Sequence, residues 1–355
     1  MINVELHPSW GFRKAGAKGP APILFDLLSK IEETGTLKSA AAAVHLSYRY
    51  VWEQFVHWEA FFGAPLIAMH RGQGTKLTSF GSGLLSAQRR ISARLQLQMD
   101  NCAAELEEEL QETLQRSHSS LRVHASHGYT IERLREFLGA RDIAIDLRYV
   151  SNEAALSSLC RGRCDIAGFH APIGELRAPY LAYYARWLKP RGYRLIRLVT
   201  RTQGLIVAKG NPKRVAALSD LARSDLRFIN READSGTRIL FDVCLQKDGI
   251  NPLEISGYDE HEYTHPAVAA YVASGKADVG FGVEAAARDF GLDFIALAHE
   301  QYFFVVKAAF LASEPMKRVM EAVESAQFRE VVGTLPGYGM EGVGLIDDMA
   351  DILPR

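Results

Sequence analysis

From Pro22 onward, apolar residues return at intervals of three and four. Ile23, Leu24, Leu27, Leu28 and Ile31 form the stripe of an amphipathic helix, stopped at Thr34 and Gly35. An alanine-rich helix is predicted next, from about Thr36 to Val44, followed by HLSYRY and a third helix from about Ser47 to Phe61 that Gly63 and Pro65 end. Val51, Trp52, Phe55, Trp58 and Phe62 read as its buried stripe, leaving Tyr48, Arg49, Glu53, Gln54 and His57 facing outward. In LIAMHRGQGTKLTSFG, apolar flanks enclose a glycine-rich basic centre from Arg71 to Lys76, the pattern of a two-stranded hairpin. Thr78 can cap a long helix from about Ser79 to Arg116. Its seam is narrow: Leu84, Ile91, Leu95, Met99, Cys102, Leu106, Leu110 and Leu114. A seam of that kind usually meets another helix, often that of a symmetry partner. Upstream, only Val4 to His7 reads as a short strand.

After a linker at His118-Ser119-Ser120 the texture alternates between strand and helix. LRVHAS and DIAGF (165–169) read as buried strands, and YRLIRLVTRTQGLIVAK reads as two strands around 193–208. LRFIN (226–230) is a further strand, and EADSGTRILFDVCLQKDG a helix with a small, polar entrance. THPAVAAYVASGKADVGFG gives helix then strand, FIALAHEQYFFVVK (294–307) a pair of strands, and two helices precede PGYGMEGVG. Such alternation predicts a mainly parallel sheet covered on both faces. The count suits two lobes joined by two crossing strands. The predicted fold class is α/β: an N-terminal winged helix-turn-helix with a long dimerisation helix, then a two-lobed domain. The boundaries expected are 1–78, 79–117 and 118–355.

Composition narrows the function. The 355 residues are 48% hydrophobic and 23% charged with a net charge of −1, ordinary for a globular protein, so a basic footprint has to be local. It is local: from Thr36 to Met99, Lys38, Arg49, Arg71, Lys76, Arg89, Arg90 and Arg94 stand against only Glu53 and Glu59. That excess suits phosphate attraction. Glu105, Glu107, Glu108 and Glu109 read as a solvated face. Cys160 and Cys164 in CRGRC have no His/Cys pair nearby to complete a zinc site, and the four cysteines read as reduced thiols. The first residues carry no apolar core behind their positive charges, and no apolar run approaches a membrane span. A cytoplasmic location without membrane contact is expected.

Helix-turn-helix packing needs small residues where its first two helices cross and a tight turn before the recognition helix. Ala40 to Ala43 and His45-Leu46-Ser47 supply these. Ser47 can act as N-cap, with Tyr48, Arg49 and Gln54 presented to double-stranded DNA. ETGTLKSAA (33–41), LSYRYVW (46–52) and RGQGTKLTSFGSGLL resemble the N-terminal domain of molybdate-responsive (ModE-like) and LysR-type regulators, over about residues 20–115. The resemblance implies a dimeric winged helix-turn-helix with Ser47, Tyr48, Arg49 and Lys38 near DNA and Arg71 and Lys76 on the wing.

In the second half, residues at strand ends and helix starts are the candidate ligand site, because free N–H groups point outward there. These are Ser126-His127-Gly128, Thr202-Gln203-Gly204, Asp234-Ser235-Gly236-Thr237-Arg238 and Thr264-His265, with His170 after the DIAGF strand. NREADSGTRILFD (230–242) and EYTHPAVAAYVASGKADVGFG (262–282) resemble the type II periplasmic-binding-protein superfamily in its regulator-fused form, over roughly 121–335. That implies a small-molecule site at Ser126, His127, Ser235, Gly236, Thr237, Thr264 and His265. The usual molybdate regulators instead carry a small β-barrel sensor.

The function expected is a ligand-responsive transcription regulator, a dimer or tetramer, whose effector is a small anion: molybdate, tungstate, or a small carboxylate such as formate, linked to molybdenum and formate metabolism. Two alternatives stay open. One is an enzyme on the α/β half, with His127, His170, His265, Glu260 and Glu262 as its groups. The other is a small-molecule-binding protein whose helical N-terminus is an interaction module. No G-x-S-x-G elbow, Walker loop, G-x-G-x-x-G turn or H-E-x-x-H pair is present, so no catalytic residues, metal or cofactor are expected. Ligand identity, operator sequence and the sign of regulation are not encoded in any motif.

Overall fold

The computed structural model describes residues 4–14, 17–70, 74–113, 120–188 and 192–352. Arg71, Leu114 and His118-Ser119 from the sequence analysis lie outside the described residues. The chain divides into two compact units, His7–Ser92 and Met1–Leu6 with Ala93–Arg355.

The smaller unit is a winged helix-turn-helix. A two-residue pair, β1 (Arg13–Lys14) and β2 (Ala17–Lys18), precedes α1 (Ile23–Thr34), α2 (Leu37–Ala43) and α3 (Tyr48–Phe62). Strands β3 (Ile67–His70) and β4 (Gly74–Leu77) pair as the hairpin, and α4 (Ser79–Thr113) begins here and continues into the larger unit. Leu24, Leu27, Leu28 and Ile31 of α1 close on Ala40 of α2 and on Val51, Phe55 and Trp58 of α3, all essentially without exposure. The caps are local chemistry. Thr36 accepts from the Ser39 amide, Ser47 from the Tyr50 amide, and Gly35 and Gly63 end their helices at positive φ. Both hairpin strands are fastened to the helices: the Ile67 amide donates to the Glu59 carboxylate at 3.2 Å, and the Thr75 amide donates to the Gly35 carbonyl at 2.7 Å. Gly74, at φ +90°, leaves no room there for a Cβ.

Two expectations need correction in this part of the chain. Val4 to His7 forms no strand; the Val4 amide instead donates to the Glu107 carboxylate at 2.8 Å. Trp52 is not in the buried stripe of α3 but 41% exposed. The stripe is the narrower 51–55–58 row, and Trp52 falls on its rim.

The larger unit carries β5 (Leu121–Ala125), α5 (Tyr129–Gly139), β6 (Ile145–Tyr149), α6 (Asn152–Cys160), β7 (Ile166–Pro172), α7 (Arg177–Ala182) and β8 (Tyr193–Val207). Then come β9 (Phe228–Arg231), α8 (Gly236–Asp248), β10 (His261–Glu262), α9 (His265–Ala273), β11 (Val279–Val283), α10 (Glu284–Asp289) and β12 (Asp293–Lys307). The chain closes with α11 (Glu314–Glu324), α12 (Ala326–Gly333), β13 (Tyr338–Gly339), β14 (Ile346–Asp348) and α13 (Met349–Ile352). The strand order is β10-β9-β11-β8-β12-β7-β5-β6, with β13 and β14 paired to β8. On one side β5 pairs in parallel with β6 and β7; on the other, β9 pairs in parallel with β10 and β11. These are the two lobes. Strands buried on both faces read as continuous apolar runs, as in β7, where every residue is buried.

The two crossing strands are β8 and β12, antiparallel from Tyr193 opposite Lys307 to Val207 opposite Asp293. The sequence reading split each into two. Each is instead a single 15-residue strand, and β12 absorbs its irregular middle as register shifts at Ala296/Ala298 and Tyr302/Phe303. Among the described residues, no helix is long and apolar enough to cross a membrane.

Candidate functional site

A cleft lies between the lobes, where the two crossing strands pass. Its volume is about 130 Å³, room for about four waters at their liquid volume. Four helices begin at it. Ser126 and His127 precede α5, Ser151 and Asn152 open α6, Asp234 to Thr237 open α8, and Tyr263 and His265 flank the start of α9. Three of these starts are capped by hydroxyls: Ser151, Ser235 and Thr264 accept from the Ala154, Arg238 and Ala267 amides. The capping oxygens satisfy one amide each; the remaining first-turn N–H groups and the positive dipole ends favour an anion. Gly236 is needed at its position, because a Cβ there would lie 2.5–2.6 Å from His170 Nε2, the Tyr180 hydroxyl and Asn152 Nδ2.

The charged groups are two arginines that arrive on strands. Arg201, on β8, is 3% exposed; its Nε donates to Glu300 Oε2 at 2.8 Å, and its Nη2 has no hydrogen-bond partner among the described residues. Burial opposes its charge, but the Glu300 carboxylate outweighs that and keeps the guanidinium protonated. Arg231, at the end of β9, donates to the carbonyls of Glu262 and Tyr263. Burial, with Arg201 as a like charge, lowers it to about 10 against the pull of Glu232. His170 and His265 are fully enclosed. Burial first, then the two arginines, drives both well below the usual imidazole range, so both rings are neutral at pH 7. His127 is the opposite case. Burial works against its charge, but Asp100 and Glu132 outweigh that and push it up to about 9.

Buried polar atoms without partners are rare and call for a reason. Here they cluster: Ser126 Oγ, Asn152 Oδ1, both ring nitrogens of His170, Arg201 Nη2 and His265 Nδ1 belong to residues that line the cleft. Behind them, Gln203 Nε2 donates to Glu300 Oε2 at 2.8 Å and to Thr237 Oγ1 at 3.3 Å. The cleft also has acids: Glu232, raised by burial, and Asp234.

Of the residues singled out in the sequence, Ser126, His127, His170, Asp234, Ser235, Gly236, Thr237 and His265 line this one cleft. Gly128, Gln203 and Gly204 do not, and neither do three others whose side chains are engaged elsewhere. Arg238 turns away to Asp242 at 3.2 Å and packs over the Tyr258 ring. Thr202 faces His299 at 3.3 Å. Thr264 is spent on the α9 cap and on the Ala93 carbonyl. Arg201, Arg231, Asn152 and Glu232 were missed. The signal for Arg201 was a cation, four residues after Arg197, inside the largely apolar run LIRLVTRTQGLIV, which costs too much to bury without a use.

In the smaller unit, α3 presents Tyr48 and Tyr50 (each 45% exposed), Trp52 and Val56. Arg49 extends from the same helix with its side chain 89% exposed, paired to Glu53 at 3.0 Å. Lys38 and Lys76 are exposed, Ser47 caps α3, and Gln54 is half-buried. The sites named for DNA therefore fall on α2, α3 and the hairpin, apart from Arg71, which is outside the described residues.

The family model PBP_like, described as the PBP superfamily domain, matches residues 134–324. The uncharacterized protein YvgK of Bacillus subtilis (strain 168) is 37% identical over 202 residues, 56% of this chain and 64% of that protein. This chain thus spans just under two thirds of that relative's length. An uncharacterized protein from the 5′ region of a ferredoxin 2Fe-2S gene in Clostridium pasteurianum is 34% identical over 109 residues, 30% of this chain and 96% of its own. Among solved structures, hydrogen-peroxide-bound OxyR of Corynebacterium glutamicum aligns at 16% identity and TM-score 0.45, over 88% of this chain and 94% of that one. CbnR, a LysR family transcriptional regulator, aligns at 15% identity and TM-score 0.40, over 85% and 99%.

Proposed function

The chain belongs to the PBP superfamily domain family, and from that premise we propose that it is a ligand-responsive, DNA-binding transcription regulator whose cleft takes a small anion. One observation carries the ligand class: four helix N-termini and the unpartnered Nη2 of Arg201 meet in a single cleft. Net charge does not make the case, since Glu232, Asp234 and Glu300 offset the arginines. Directed N–H donors do, because a row of oriented amides holds a dehydrated anion without a full counter-charge. The cleft volume of about 130 Å³ favours a compact species such as molybdate, tungstate or formate.

In this reading residues 1–78 read DNA, 79–117 pair two copies, and 118–355 sense the ligand, in the cytoplasm where the operator is. The exposed face of α3, with Tyr48, Arg49 and Gln54, enters the major groove, while Ser47, Lys38, Arg71 and Lys76 meet phosphates. Ligand acts by binding one arrangement of the lobes better than another; equal affinity for both would shift nothing.

The test is calorimetry of the purified chain against molybdate, tungstate, formate and a neutral control, paired with titration of its own promoter fragment. One anion is expected to bind saturably and to change the affinity for DNA. A flat response to every anion removes the ligand class, and indifference to the promoter fragment at low salt removes the regulator.

A further inference from the structure

Where α4 passes the larger unit's first lobe, Asp100 faces the β5–α5 loop. His127 Nε2 lies 2.9 Å from Glu132 Oε1 and 3.4 Å from Asp100 Oδ2, and the three donor atoms all fall within 4.8 Å of one another. Neither contact is aligned as a hydrogen bond: both ring nitrogens of His127 lack one, although the side chain is only 6% exposed. The two carboxylates hold the ring by charge rather than by an aligned hydrogen bond, and their spacing is that of ligands around an ion. Two donors each about 2.0–2.2 Å from a metal and about 90–110° apart are separated by roughly 2.9–3.5 Å. Two carboxylates around one imidazole also leave an excess of negative charge even when the ring is protonated.

The surroundings hold the donors in place. Asn101, next to Asp100, clasps the Tyr149 backbone twice, accepting from its amide at 3.0 Å and donating to its carbonyl at 3.2 Å. The Tyr149 ring lies 5.0 Å from that of His127. Arg94, one α4 turn and a half earlier, pairs with the fully buried Glu262.

We propose that Asp100, His127 and Glu132 form a site for a divalent transition-metal ion. One imidazole with two carboxylates suits zinc, manganese or iron(II) better than magnesium or calcium, which prefer all-oxygen shells. The remaining positions are open to water. No sequence motif marks the site, because its ligands come from two elements and span residues 100 to 132. The ion would tie α4 to the loop that forms one wall of the cleft, so it acts as a co-effector. The site shares His127 with the wall of the cleft, but it is tested with metal ions alone, without molybdate, tungstate or a carboxylate.

The full chain is stripped with chelator and titrated at neutral pH with zinc, manganese and cobalt(II) chlorides, by calorimetry and, for cobalt, by visible absorption. One ion per chain is expected, with a cobalt spectrum showing nitrogen ligation. The isosteric variants Asp100→Asn and Glu132→Gln should each weaken binding by at least about tenfold, and His127→Ala should abolish the spectrum. The cobalt spectrum of the wild-type chain keeps the test valid should a variant fail to fold. Absence of saturable binding by all three ions, or Asp100→Asn binding like wild type, overturns the site and leaves a proton-bridged clasp in its place.

Discussion

Gly236 is the residue on which the cleft has least tolerance. Its backbone sits where a methyl group would meet His170, Tyr180 and Asn152 at 2.5–2.6 Å, and all three are enclosed in the core and unable to retreat. Gly236→Ala is therefore expected to cost about 1–3 kcal/mol in urea unfolding and to abolish anion binding by calorimetry. Unchanged binding would mean that the floor of the cleft is not where the ligand rests. Arg201 makes a second case. Glu300 has no exposure, and Arg201 and Gln203 are its partners. Arg201→Met strands a buried carboxylate and should cost about 3–5 kcal/mol, whereas the pair Arg201→Met with Glu300→Gln removes the charge with its partner and should recover most of that loss. If the double variant is no more stable than the single one, the carboxylate is not the source of the penalty. These residues also show where reading from sequence stops. The serines and threonines at helix starts were legible because capping is a local matter of one side chain and an amide three residues on. Arg201 and Glu300 are 99 positions apart, and only the pairing of two crossing strands makes them neighbours.

At the scale of elements the same contrast holds. The helices α1 to α3 could be drawn from periodicity and their caps, since glycines end α1 and α3 and α2 stops at Val44, just before His45 at positive φ. The crossing strands could not. Thr202-Gln203-Gly204 looks like a turn, yet β8 runs straight through it, because its partners change from those of one lobe to those of the other. Trp52 was misread for a related reason: periodicity fixes the centre of a helix stripe better than its edge. Two expectations follow for α3. Ser47→Ala removes the oxygen that accepts from the Tyr50 amide at 3.2 Å and should lower stability by about 1 kcal/mol. Phe55→Ala, at 1% exposure, should cost about 3–5 kcal/mol, while Trp52→Ala should cost clearly less and fall instead on DNA binding. Chemical denaturation of the three variants ranks them, and a Trp52 loss equal to that of Phe55 would place it back in the core.

For the molecule as a whole the open question is what covers α4. Ile91 is 38% exposed and Leu106 42%; Cys102 is exposed, and Leu95, Met99 and Leu110 are half-buried. A seam of that length left uncovered by its own chain is expected to pair with the same seam in a second copy. Leu106→Glu puts a charge into that contact and should shift the chain toward monomer in sedimentation. The consequence for DNA can be worked out. Each phosphate neutralised contributes about −0.9 to the slope of log affinity against log salt concentration. Two linked DNA-reading heads therefore give twice the slope of one, and Lys76→Ala should flatten the dimer's slope by about two. In Leu106→Glu the slope should halve, and affinity at moderate salt should fall further than any single phosphate contact explains, because the second head no longer binds as part of the same molecule. A variant that sediments as wild type and keeps the full slope would show that copies associate elsewhere or not at all, and the cleft would then have to act on DNA through a single chain.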